Sequence, residues 1–190
     1  MGDDKDDMFK WLAGGKYKSR SAFGVSQMIN DYRYHVKKQF ISGFGRELER
    51  RVGRDLGEGW SLSVDEDVFE KDQKFRISKA GWKNNYCIAL GNELGAFNGI
   101  YYGLFARDER GTEKDSLRET ISEKFGASRN ADDTHDRSIW SRNVDVCYEL
   151  RENIDNIITL VEKNGEAVID NWSTQLMELA RFVAPHIDRI

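Results

Sequence analysis

The chain is poor in the residues that staple or punctuate a fold. It has two cysteines, Cys87 and Cys147, set too far apart for a zinc cluster or a secreted disulfide framework, so two buried reduced thiols are expected. Its three histidines, His35, His135 and His186, form no HxxxH or HxH pair, and no structural metal is expected. No apolar run approaches the roughly 18 residues that cross a bilayer. The first seven residues, Met1 to Asp7, are acidic where a signal peptide is basic, which predicts a cytoplasmic protein. No Gly-rich phosphate loop or nucleophile elbow is found either.

What is present suits a globular chain. Charged residues make up 33% and hydrophobic ones 39% of 190 residues, enough to bury a core without metal or disulfides. The net charge of -4 is unevenly spread. Met8 to Leu56 holds 11 Lys or Arg against 4 Asp or Glu, whereas Tyr148 to Ile190 holds 4 against 8. Either the two segments complement each other or the basic one meets phosphates.

The patterning predicts an α+β protein. Residues 1–24 read as a flexible N-terminal arm, and 25–190 as a single domain. From Ser26, a plausible N-cap, Ile29, Tyr32, Val36, Phe40, Phe44, Leu48, Val52 and Leu56 recur at helical spacing, with a kink expected near Gly43 and Gly45. Strands are expected at Trp60–Val64, Lys74–Ser78, Tyr86–Leu90 and Ile100–Ala106. Their short connectors make an antiparallel sheet of about four strands. Ser116 to Phe125 reads as a helix, and Ala127 to Arg137 as a polar loop. Asn164-Gly165 divides the end of the chain into a helical pair, and Pro185 marks a bend or fraying in its last turns.

Three sets of residues carry functional expectations. The first is aromatic: alternation turns Tyr101, Gly103 and Phe105 to one face of their strand, and with Trp82 these offer a protein-binding surface. The competing reading is that helices cover both faces of the sheet. The second is basic: Arg33, Lys37, Lys38, Arg46, Arg50, Arg51 and Arg54 on the long helix could track DNA or RNA phosphates. The third is acidic: Asp72-Gln73-Lys74 has the form (D/E)-x-K, with Asp65 and Asp67 at the end of the preceding strand. In metal-dependent nucleases two carboxylates hold Mg²⁺ and a lysine positions the water it activates. Asp3-Asp4-Lys5 matches the same short form, and an acidic solvated turn explains Asp65 to Asp72 equally simply.

The segments Phe75-Arg-Ile-Ser-Lys-Ala-Gly-Trp82, Cys87-Ile-Ala-Leu90 and Asn98-Gly-Ile-Tyr-Tyr-Gly-Leu-Phe105, with Ile139-Trp140 further on, resemble one known group. They are similar to the C-terminal, non-nuclease region of bacterial and phage proteins of the PD-(D/E)XK nuclease superfamily. Those proteins carry their nuclease domain ahead of this region, for which the chain has no room. The resemblance therefore implies a non-catalytic companion domain, linked to a prophage or a defence island, and transfers no catalytic residue. It implies a nuclease or nucleic acid as partner.

The first functional expectation is accordingly a non-enzymatic recognition or regulatory module acting through protein contacts, with a nuclease or a second copy of the chain as partner, no membrane and no cofactor. A nucleic-acid-binding domain on the basic helix is the second. A reduced nuclease using Asp65, Asp67, Asp72, Lys74 and Mg²⁺ is the third.

Overall fold

The computed structural model describes residues 16–65, 74–82, 86–92, 99–106, 113–129, 138–144 and 165–190. Helix α1 runs from Lys16 to Arg51 and continues into a π-helical turn, Val52–Leu56. Strands β1 (Trp60–Val64), β2 (Lys74–Lys79), β3 (Cys87–Asn92) and β4 (Ile100–Phe105) follow. Helix α2 (Glu113–Phe125), strand β5 (Ser138–Asn143) and helix α3 (Glu166–Ile187) complete the order. The chain divides into two compact units, Met1–Gln39 and Phe40–Ile190. Of the arm expected over 1–24, residues 1–15 lie outside the described set, and 16–24 are helical.

Two expectations about α1 are corrected. Ser26 is inside the helix, not at its cap, because α1 already includes Lys16. The helix also passes Gly43 and Gly45 unbroken and ends instead in the π-turn, which Gly57 closes with φ of 85°. Packing supplies the reason. A Cβ at Gly45 would meet the Phe75 ring at 3.3 Å, so the missing side chain lets helix and sheet approach.

In the larger unit the sheet is antiparallel throughout, with strand order β1-β2-β3-β4-β5. The α+β class is as expected, and the sheet gains one strand. β5 escapes a pattern-based reading because only Ile139-Trp140 is apolar among polar neighbours. It pairs with β4 from Tyr101↔Asn143 to Phe105↔Ser138, with an irregularity at Leu104/Phe105. Of the expected C-terminal helical pair, α3 is observed, and the first member lies outside the described residues. Pro185 sits within α3 near its end, and the helix continues to Ile187.

The main core lies on one face of the sheet. Phe40, Phe44 and Leu48 of α1 and Trp172, Leu176, Leu179 and Val183 of α3 pack with Phe75, Ile77, Ile88, Leu90, Ile100, Tyr102 and Leu104. Phe44 stands edge-on to Phe75 at 4.9 Å and to Trp172 at 5.8 Å. Each such buried side chain contributes about 1.5–3 kcal/mol. That shared burial, rather than intrinsic propensity, holds the helices on the sheet.

Candidate functional site

Alternation along β4 divides its side chains as the pattern requires. Ile100, Tyr102 and Leu104 enter the main core, while Tyr101 and Phe105 join Ala89 in a second cluster on the opposite face. There Tyr101 and Phe105 are each only 5% exposed. They are a buried cluster rather than an open aromatic platform. One glycine makes room for it, and a second admits the β5 backbone beside β4. A Cβ at Gly91 would stand 3.0 Å from the Tyr101 hydroxyl oxygen, and one at Gly103 would stand 2.2 Å from the Trp140 carbonyl oxygen.

Cations border these rings. The Lys74 ammonium lies 4.8 Å from the Phe105 ring centre and 6.0 Å from that of Tyr101. The Arg129 guanidinium is 4.9 Å from the Tyr101 ring centre and donates to Asn143 Oδ1 at 2.7 Å. Such contacts add roughly 0.5–2 kcal/mol. Arg129 falls at the start of the segment that reads as a polar loop, and nothing in its local sequence marks it for this position. On the same side, burial pushes the Cys87 thiol up against the opposing pull of Arg76 and Lys74.

The nuclease-like residues are only partly described, because Asp67 and Asp72 lie outside the described set. Asp65 and Lys74 are brought together by the β1–β2 pairing. Asp65 Oδ2 accepts the Lys74 backbone N–H at 2.9 Å, and Oδ1 takes the Arg76 guanidinium. The Lys74 ammonium is turned to the aromatic rings instead.

Trp82 is half-buried, edge-on to Trp60 at 5.0 Å, and donates its indole N–H to Asp188 at 2.9 Å. Lys79 bonds the other Asp188 oxygen. The Lys79 bond first, and then that of Trp82, hold the Asp188 carboxyl below its usual range. The pair anchors the end of α3 to the sheet edge.

Three members of the basic set are engaged by carboxylates. Arg50 and Arg51 both bond Glu47 and hold its carboxyl down at about 2 from an ordinary 4.5. Arg51 also reaches Asp170 and Thr174 of α3. Arg54 bonds Asp55, whose other neighbour is Arg181 at 3.6 Å. Thus Arg50, Arg51 and Arg54 are paired with carboxylates, and one of the two acidic partners of Arg51, Asp170, comes from the C-terminal helix. Arg46 is exposed and donates to the Ser42 carbonyl, and Lys38 is exposed. The side chains of Arg33 and Lys37 lie outside the described residues.

A feature that sequence patterning leaves unmarked lies in the smaller unit. Tyr32 falls on the periodic stripe, and it is 57% exposed, while Met28 is 72% and Tyr34 55% exposed. The stripe is buried at Val36, Phe40, Phe44, Leu48 and Val52, and exposed at its earlier member Tyr32. The side chain of Ile29 lies outside the described residues. Met28, off the stripe and one helical turn before Tyr32, is the signal that a second apolar strip was present.

No family model, curated protein or solved structure matches the chain.

Proposed function

We propose that this protein is a non-enzymatic recognition module acting through protein contacts, and that the contacting element is the first half of α1. One observation carries the reading: Met28 and Tyr32, two large side chains one helical turn apart on one face of the helix, are 72% and 57% exposed. Met and Tyr are residue types enriched where proteins meet, since they supply contact area with adaptable or amphipathic chemistry. An amphipathic helix laid against a partner is a recurring recognition mode. Against the phosphate-tracking alternative stand the carboxylate partners of Arg50, Arg51 and Arg54. The resemblance of Phe75–Trp82 and Asn98–Phe105 to nuclease-associated companion regions makes a nuclease one class of partner to look for.

The test is capture from nuclease-treated cytoplasm by the intact chain and by a Met28→Ser, Tyr32→Ser variant. A defined protein retained by the first and lost by the second is the expected result. Nucleic acid held in untreated extract, with no specific protein after digestion, would refute the proposal.

A further inference from the structure

Met28, Tyr32, His35 and Gln39 follow one another at steps of four, three and four, the spacing of a single strip along a helix that meets another helix. All four are exposed. His35 and Gln39 are joined by a 2.9 Å hydrogen bond within the strip. Asp31 and Lys38, also exposed, each precede a strip residue by one position, so they lie on the same flank. They are separated by two helical turns, about 10.5 Å along the axis.

Opposite charges on one flank, evenly placed about the midpoint between residues 34 and 35, make this face complementary to itself. We infer that the partner of the α1 face is a second copy of the chain, paired antiparallel about a two-fold axis near Tyr34 and His35. This rests on the protein-contact reading proposed above and names the occupant. In the antiparallel arrangement same-flank positions face each other, so Asp31 meets Lys38 of the second copy and Lys38 meets its Asp31. Two ion pairs form for one two-fold operation. A parallel pair would set Asp31 and Lys38 against the opposite flank, at Ile29, Val36 and Gly43, which bear no charge. The charge pattern thus selects the antiparallel partner. His35 and Gln39 lower the affinity of the strip and fix its register, as polar residues do in helical seams. The dimer is therefore weak and concentration-dependent.

Sedimentation of the intact chain over a concentration series tests this, with Asp31→Lys and Lys38→Asp variants alongside. Both positions are solvent-exposed, so folding is retained, and circular dichroism checks it. The intact chain forms a dimer. Each single reversal replaces two attractions by two repulsions and weakens it about tenfold. An equimolar mixture of the two variants restores dimerisation, since each then supplies what the other lacks. A dimer indifferent to both reversals, or a mixture no tighter than either variant alone, overturns the inference. A chain that is monomeric throughout also overturns it. If that monomer still captures a defined protein through Met28 and Tyr32, self-pairing falls and the protein-contact reading stands. If it captures none, both fall.

Discussion

Gly103 of β4 and Trp140 of β5 approach so closely that a Cβ at position 103 would stand 2.2 Å from the Trp140 carbonyl oxygen and 2.8 Å from the Ser141 Cα. The obstacle is backbone, which cannot swing aside as a side chain end can. Gly103→Ala must push β5 off the sheet or distort the pairing. A loss of about 2–3 kcal/mol is expected, in the range of overpacked cores, read as a lower midpoint in urea unfolding. An unchanged midpoint would show that β5 is not held where it is described.

Arg51 joins Glu47 on its own helix to Asp170 and Thr174 on α3. It is mostly buried, whereas Arg50 and Arg54 are exposed beside their carboxylates. Arg51→Ala leaves Asp170 without its guanidinium and strips packing from the stem, so a cost of about 1–3 kcal/mol is expected. Arg54→Ala leaves thermal stability essentially unchanged, and Arg50→Ala, which removes one of Glu47's two guanidinium partners, costs less than Arg51→Ala. Equal effects from all three would contradict the distinction between a bridge and a solvated pair.

Glu47 predicts a pH dependence. Its carboxyl titrates at about 2 in the folded chain against 4.5 ordinarily, because Arg50 and then Arg51 hydrogen-bond to the charged form. A depressed folded value means stabilisation that is fully present above about 4.5 and is lost as pH falls toward 2. Glu47→Gln should therefore be less stable than the parent at neutral pH, with the gap closing through that window and shrinking in high salt. Thermal melts at several pH values measure it. A gap that persists at pH 2 would refute this origin.

Ser173 lies fully buried in α3, and its hydroxyl has no hydrogen-bond partner among the described residues. A buried unpaired hydroxyl is a liability, so Ser173→Ala is expected to be neutral or to stabilise by up to about 1 kcal/mol. A clear loss of stability in chemical unfolding would show that the hydroxyl does bond in solution.

Much of the fold was legible because burial leaves a period in the sequence. Phe40, Phe44, Leu48 and Val52 repeat as a helix does, and Ile100 to Phe105 alternates as a strand does, down to the division of Tyr102 and Tyr101 between the two faces. β5 was less legible, since Ile139-Trp140 is too short an apolar run to signal a strand before β4 offers it a partner. The candidate surface was harder still. Tyr32 shares the helical period of buried residues, and only the surrounding structure shows that nothing described shields it. Arg51 and Arg54 looked like phosphate ligands because their carboxylate partners, Asp170 and Asp55, are respectively distant in sequence and hidden by an adjacent opposite charge.

Photo-cross-linking from a benzoyl-phenylalanine placed at Tyr32, compared with one at Val64, tests the central claim most directly. Val64 is likewise an exposed apolar residue, at 47%, but belongs to the sheet of the larger unit. In cell extract the account predicts a discrete protein adduct from position 32, of twice the chain mass if the partner is a second copy, and none from position 64. Adducts from position 64 alone, or adducts from position 32 to nucleic acid alone, would contradict it.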